Sequence, residues 1–107
     1  MVLALWAPPL DVLRDNDYWY VKVELAGVCP DQVTISVNGD ELTLRGTRID
    51  NLLSRGYTYH SLEISYCRFE RRVKLPFVID TQTIDWQFQD GMLLIQVGPW
   101  RERQGHE

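Results

Sequence analysis

Between Leu25 and Gly46 the chain carries two period-two runs on either side of a glycine turn. Val33, Ile35 and Val37 alternate with Gln32, Thr34 and Ser36; Asn38-Gly39-Asp40 follows, and Leu42, Leu44 and Gly46 resume the alternation. Successive side chains of a strand point to opposite faces, so this spacing gives each segment one apolar and one polar face, whereas a helix would scatter the same residues around its axis. An Asn-Gly pair between two such runs is a strong hairpin signal. The preceding Leu25-Ala26-Gly27-Val28-Cys29-Pro30 reads as the end of an apolar strand and a short glycine-bearing connection. The pattern predicts antiparallel β-structure.

The rest of the chain extends that reading. Leu10 to Arg14 follows Pro8-Pro9, and prolines are tolerated at sheet edges and strand starts, so an edge strand is expected there. Asp15-Asn16-Asp17 is a turn cluster, and weak calcium binding is the other use of two aspartates so placed. From Tyr18 to Leu25, Trp19, Val21, Val23 and Leu25 face one way and Tyr18, Tyr20, Lys22 and Glu24 the other. Arg48 to Leu62 breaks the alternation, and a connection this long within a compact domain is usually functional. Ser65 to Leu75 returns to it, with Cys67, Phe69, Arg71, Val73 and Leu75 on one face. Ile84, Trp86 and Phe88 then alternate with Asp85, Gln87 and Gln89, and Asp90-Gly91 turns the chain into Met92 to Val97. Some seven short strands with turns at regular spacing predict an all-β sandwich.

Composition bounds the function. The 107 residues are 45% apolar and 24% charged, enough for a single domain with its own core. A net charge of −4 argues against nucleic acid or an anionic membrane as partner, and no apolar run approaches the roughly 18–20 residues of a membrane helix. The opening Met1-Val2-Leu3-Ala4-Leu5-Trp6 has no basic n-region, so a cytoplasmic location is expected. Cys29 and Cys67 fit no metal motif and read as reduced thiols, with a disulfide or redox role as the alternative. His60 and His106 lack ligand-spaced partners, and Ser54, Ser61 and Ser65 lack a nucleophile elbow. No phosphate-binding glycine motif is present, so the expectation is no enzyme, no metal and no cofactor.

Four motifs add a resemblance. Trp6-Ala7-Pro8-Pro9-Leu10-Asp11, Leu25-Ala26-Gly27-Val28, Phe69-Glu70-Arg71-Arg72-Val73-Lys74-Leu75-Pro76 and Asp90-Gly91-Met92-Leu93 occur in this order and spacing. Together they resemble the alpha-crystallin domain of small heat-shock proteins. The resemblance implies an immunoglobulin-like antiparallel β-sandwich with a long loop carrying a dimer-swapped strand. It also implies an ATP-independent holdase that binds unfolding client proteins.

Under that resemblance Tyr57, Thr58, Tyr59 and His60 form the loop strand, which pairs with the first strand of a partner at Leu10, Asp11 and Val12 and gives a reciprocal homodimer. A surface loop is the plainer alternative. Arg71 sits on an apolar face, so its charge must be paired or near the dimer seam. The resemblance favours the seam; an ion pair within the subunit is the alternative, with Glu63, Asp11 or a carboxylate of the other chain as candidate partner. A groove for clients or a tail is implied between Val33, Ile35 and Val37 and Ile84, Trp86 and Phe88, with Leu3, Leu5 and Trp6 as further apolar contacts.

Departures shape the remaining expectations. Residues 1–8 read as only a short apolar arm without secondary structure before a domain at 9–98, and the tail at 99–107 lacks the family's Ile-x-Ile motif. A dimer is therefore expected, with higher oligomers if flanking arms exist, whether the chain is an excised core or a minimal member. Trp86 stands where the family commonly has Ala; it either fills part of the groove or belongs to the core. The competing function is a CS-domain-like co-chaperone or adaptor, which has the same sandwich without loop exchange.

Overall fold

The computed structural model describes residues 6–50, 52 and 55–99. Seven strands form in chain order: β1 (Leu10–Arg14), β2 (Trp19–Glu24), β3 (Val33–Asn38), β4 (Glu41–Thr47), β5 (Arg68–Lys74), β6 (Asp85–Gln89) and β7 (Met92–Val97). Single 3-10 turns at Pro30–Gln32 and Thr81–Thr83 were not expected from sequence. All ladders between these strands are antiparallel, in a four-stranded sheet of order β1-β2-β7-β6 and a three-stranded sheet of order β3-β4-β5. The all-β sandwich is as predicted.

Local chemistry explains the corners. The Asp15 carboxylate accepts the amides of Asp17 (2.8 Å) and Tyr18 (2.7 Å), and the Tyr20 hydroxyl donates to it at 3.1 Å. That aspartate is committed to an Asx-type turn between β1 and β2. In the β6–β7 hairpin both turn residues, Asp90 (φ 55°) and Gly91 (φ 77°), have positive φ, as a type I′ turn requires. The β3–β4 hairpin differs from expectation. Asn38 pairs with Glu41, so the two turn residues are Gly39 and Asp40, and only Gly39 (φ 65°) takes the left-handed conformation. Glycine at the first central position is the II′ arrangement, which has the twist of the flanking strands.

The core lies between the sheets. Val21, Val23 and Leu25 meet Leu93, Ile95 and Val97 from one side and Leu42, Leu44, Phe69 and Val73 from the other, with Val28, Leu75 and Ile79 closing the ends. Leu75 and Ile79 are held by amide bonds to the carbonyls of Asp40 (2.8 Å) and Gly39 (2.9 Å), so the segment after β5 folds back over the hairpin. β5 begins at Arg68, later than the expected Ser65; the Arg48 amide still bonds the Cys67 carbonyl at 3.0 Å, and the paired register runs no further among the described residues.

Candidate functional site

A two-sheet sandwich has four edges, and what covers each decides where another chain can add. The β5 edge is occupied by the chain's own opening residues. Trp6 forms a parallel bridge to Phe69, its amide donates to Arg68 O at 2.9 Å, and its ring meets the Phe69 ring edge-on with centroids 5.7 Å apart. The expectation of an arm without secondary structure is corrected at Trp6, and Pro8 behind it is buried; Leu3, Leu5 and His106 lie outside the described residues.

The β1 edge is open. β1 pairs only with β2 among the described strands, and Asp11, Val12, Leu13 and Arg14 are exposed. The connection from β4 to β5 carries no ladder among the described residues. Every described residue from Leu52 to Tyr66 is exposed, including Tyr57 (60%), Tyr59 (42%), Leu62 (63%) and Ile64 (59%). Tyr57, Thr58, Tyr59 and His60 carry no strand assignment, because a strand is defined by a ladder and they have none within their own chain. The radius of gyration, 17.0 Å, exceeds the about 13 Å of a compact domain this long.

The β3 and β6 edges meet at a cleft of about 170 Å³ lined by Pro30, Val33, Ile35, Trp86, Phe88 and Leu93. Four of the six groove residues named from sequence are therefore brought together. Val37 and Ile84 are not among them, although they pack against the core as Val33, Ile35 and Phe88 do. Pro30 and Leu93 were missed because they lie outside the two alternating runs. Trp86 is 49% exposed, which corrects its reading as a core residue: it stands at the cleft with half its surface in solvent.

Arg71 is half-buried on the inner face of β5, and its Nη1 donates to the Pro8 carbonyl at 2.7 Å. No salt bridge involves it among the described residues, so the alternative reading, an ion pair within the subunit to Glu63 or Asp11, is not what forms there. Cys29 and Cys67 are both free thiols. Arg48 escaped notice in the sequence. Its guanidinium lies 3.9 Å from the Trp6 ring centroid, its Nε donates to Ser65 O at 2.8 Å, and its Nη1 donates to Ala26 O at 3.2 Å. No periodicity marks a residue whose partners come from three distant segments. No described helix is long and apolar enough to cross a membrane.

Residues 11–106 match the Hsp20/alpha crystallin family. The chain belongs to that family. It is 34% identical over 93 residues to a heat shock protein of Dictyostelium discoideum, covering 86% of this chain and 22% of that protein. To small heat shock protein C4 of Rickettsia felis it is 28% identical over 91 residues, covering 85% and 56%. The chain thus spans between about a fifth and three-fifths of the length of these small heat-shock relatives. A solved small heat-shock protein from Xylella fastidiosa superposes with a TM-score of 0.78 at 25% identity, covering 94% of this chain and 92% of that one. The matched residues include three of the four sequence motifs whole and begin at Asp11, the last residue of the first.

Proposed function

We propose that this small heat-shock chain acts as an ATP-independent holdase, a homodimer that binds unfolding proteins through apolar edges and grooves and lowers the concentration of aggregation-competent chains. The observation that carries the reading is the placement of large exposed apolar side chains on a loop without a ladder and on edge strands: the loop from Leu52 to Tyr66, the β1 edge with Val12 and Leu13, and Trp86 of the β6 edge at the β3–β6 cleft. Contiguous exposed apolar surface beside unpaired backbone is what a stable monomer avoids.

In this reading Tyr57, Thr58, Tyr59 and His60 of each protomer pair with Leu10, Asp11 and Val12 of the other, and reciprocity gives a two-fold dimer. Arg71 uses one donor nitrogen on Pro8, and its remaining donors serve a carboxylate or carbonyl across the seam. Clients engage Val33, Ile35, Trp86 and Phe88. Nothing in this requires a nucleotide, a metal or a covalent step.

The test is light scattering from a heat-aggregating client with and without the chain, in the absence of ATP. Suppression at near-stoichiometric ratios supports the holdase. Unchanged scattering from a chain that is also monomeric overturns it in favour of the adaptor reading.

A further inference from the structure

The loop and the β1 edge stand at different places on the sandwich, yet one side chain touches the lead-in to both. Arg48 is the first residue after β4, and its amide closes the ends of the long loop on Cys67 O at 3.0 Å. Its guanidinium lies over Trp6 at 3.9 Å, well inside the about 6 Å reach of a cation–π contact. The same group donates to Ser65 at the end of the loop and to Ala26 after β2. Among the described residues, the bond to Ser65 is the hydrogen bond that ties residues 52–66 back to the sandwich. Trp6 in turn leads through Pro8 and Pro9, whose carbonyls accept from Arg71 and from the Glu24 amide, directly into β1.

We propose that Arg48 is a positioning residue that couples docking of the Trp6 segment to the base of the long loop. Undocking Trp6 frees the guanidinium, and the loop base loosens with it. Only the consequence for dimers rests on the exchange reading above: the edge that accepts a strand and the loop that donates one are then set together within each protomer. The planar fork is essential, because a lysine ammonium cannot stack and reach two carbonyls at once.

The test compares backbone hydrogen exchange in the parent chain, Trp6→Leu and Arg48→Lys. In both variants, exchange of the amide at position 48, which closes the base of the loop on the Cys67 carbonyl, should rise about tenfold, as for loss of one charge-assisted contact. Amides of β2 and β7 should be unchanged, and the double variant should be no faster than either single one, since one path is broken twice. A general loss of structure would speed β2 and β7 as well, and that outcome overturns the coupling. So does exchange of the amide at position 48 in Trp6→Leu equal to the parent, since Trp6 touches the Arg48 guanidinium and makes no bond to that amide or to Cys67. If Trp6→Leu fails to fold, Arg48→Lys is judged by the same exchange, with protection of the Trp6 amide as its second readout; an unaltered Trp6 amide sinks the proposal. Sedimentation keeps the two ideas apart: a parent chain that is monomeric defeats the loop-exchange dimer, while the exchange data still decide the role of Arg48.

Discussion

A Cβ on Gly46 would collide with the carbonyl oxygen of Gln32 and come within 2.5 Å of the Phe69 ring. Gly46 and Phe69 are directly opposed in the β4–β5 ladder, so the ring fills the space a side chain would take. Gly46→Ala should therefore cost about 1–3 kcal/mol through overpacking, only partly offset by about 0.4–1 kcal/mol from a stiffer unfolded chain. Urea unfolding reads this as a lower midpoint with unchanged slope, and pairing the change with Phe69→Leu should recover part of it. Two carboxylates set the acid limit. The amides of Tyr18, then of Asp17, hold Asp15 below its ordinary value of 3.8, and hydrogen bonds from Arg45, then Arg72, hold Glu70 below its ordinary 4.5. The folded chain binds these protons less tightly than the unfolded one. Their stabilisation is thus complete above the ordinary values and lost as pH falls through the lowered ones. Urea midpoints should stay level from pH 7 to about 5 and fall below about pH 4.5. Asp15→Asn and Glu70→Gln should each flatten that fall, modestly because both groups are solvent-exposed.

At the scale of elements, β1 and the long loop are complementary: one offers unpaired backbone, the other offers residues with no ladder of their own. Deleting Tyr57 to His60 should convert a dimer to a monomer in sedimentation equilibrium, and a deletion variant that still dimerises would place the interface elsewhere. The cleft between β3 and β6 makes a different prediction. A tryptophan ring is far larger than an alanine methyl, and Trp86 lines the cleft; on the reading that it fills part of the groove, removing the ring gives an apolar peptide more room. Trp86→Ala should bind an added Ile-x-Ile peptide about tenfold more tightly than the parent, as one apolar side chain's worth of contact is gained. Equal titration curves would show that Trp86 leaves the cleft as open as alanine does.

For the whole molecule, the core draws on the strands and on Leu25, Val28, Leu75 and Ile79, and takes nothing from the described residues between 49 and 66. Loop closure entropy grows only slowly with length, so the sandwich should tolerate the same Tyr57–His60 deletion with little change in its unfolding midpoint at concentrations where the parent is monomeric. Assembly and stability are thereby separable in one variant.

Strand identity, facing and most turns were legible from sequence because they depend on neighbours. Alternation of Val21, Val23 and Leu25, or of Leu42 and Leu44, states which face is buried, and Asp90-Gly91 states where the chain reverses. The four family motifs were legible for the same reason. What only the tertiary structure decided involves residues remote in sequence. Period two puts Trp86 on the same face as Phe88, but only the meeting of the β3 and β6 edges leaves it half in solvent. An arginine on an apolar face must find a partner, but only the fold brings Arg71 to a carbonyl of Pro8 and not to a carboxylate. Arg48 had no local signature at all, because the ring it covers and the carbonyls it holds are assembled from three segments that become neighbours when the two sheets close.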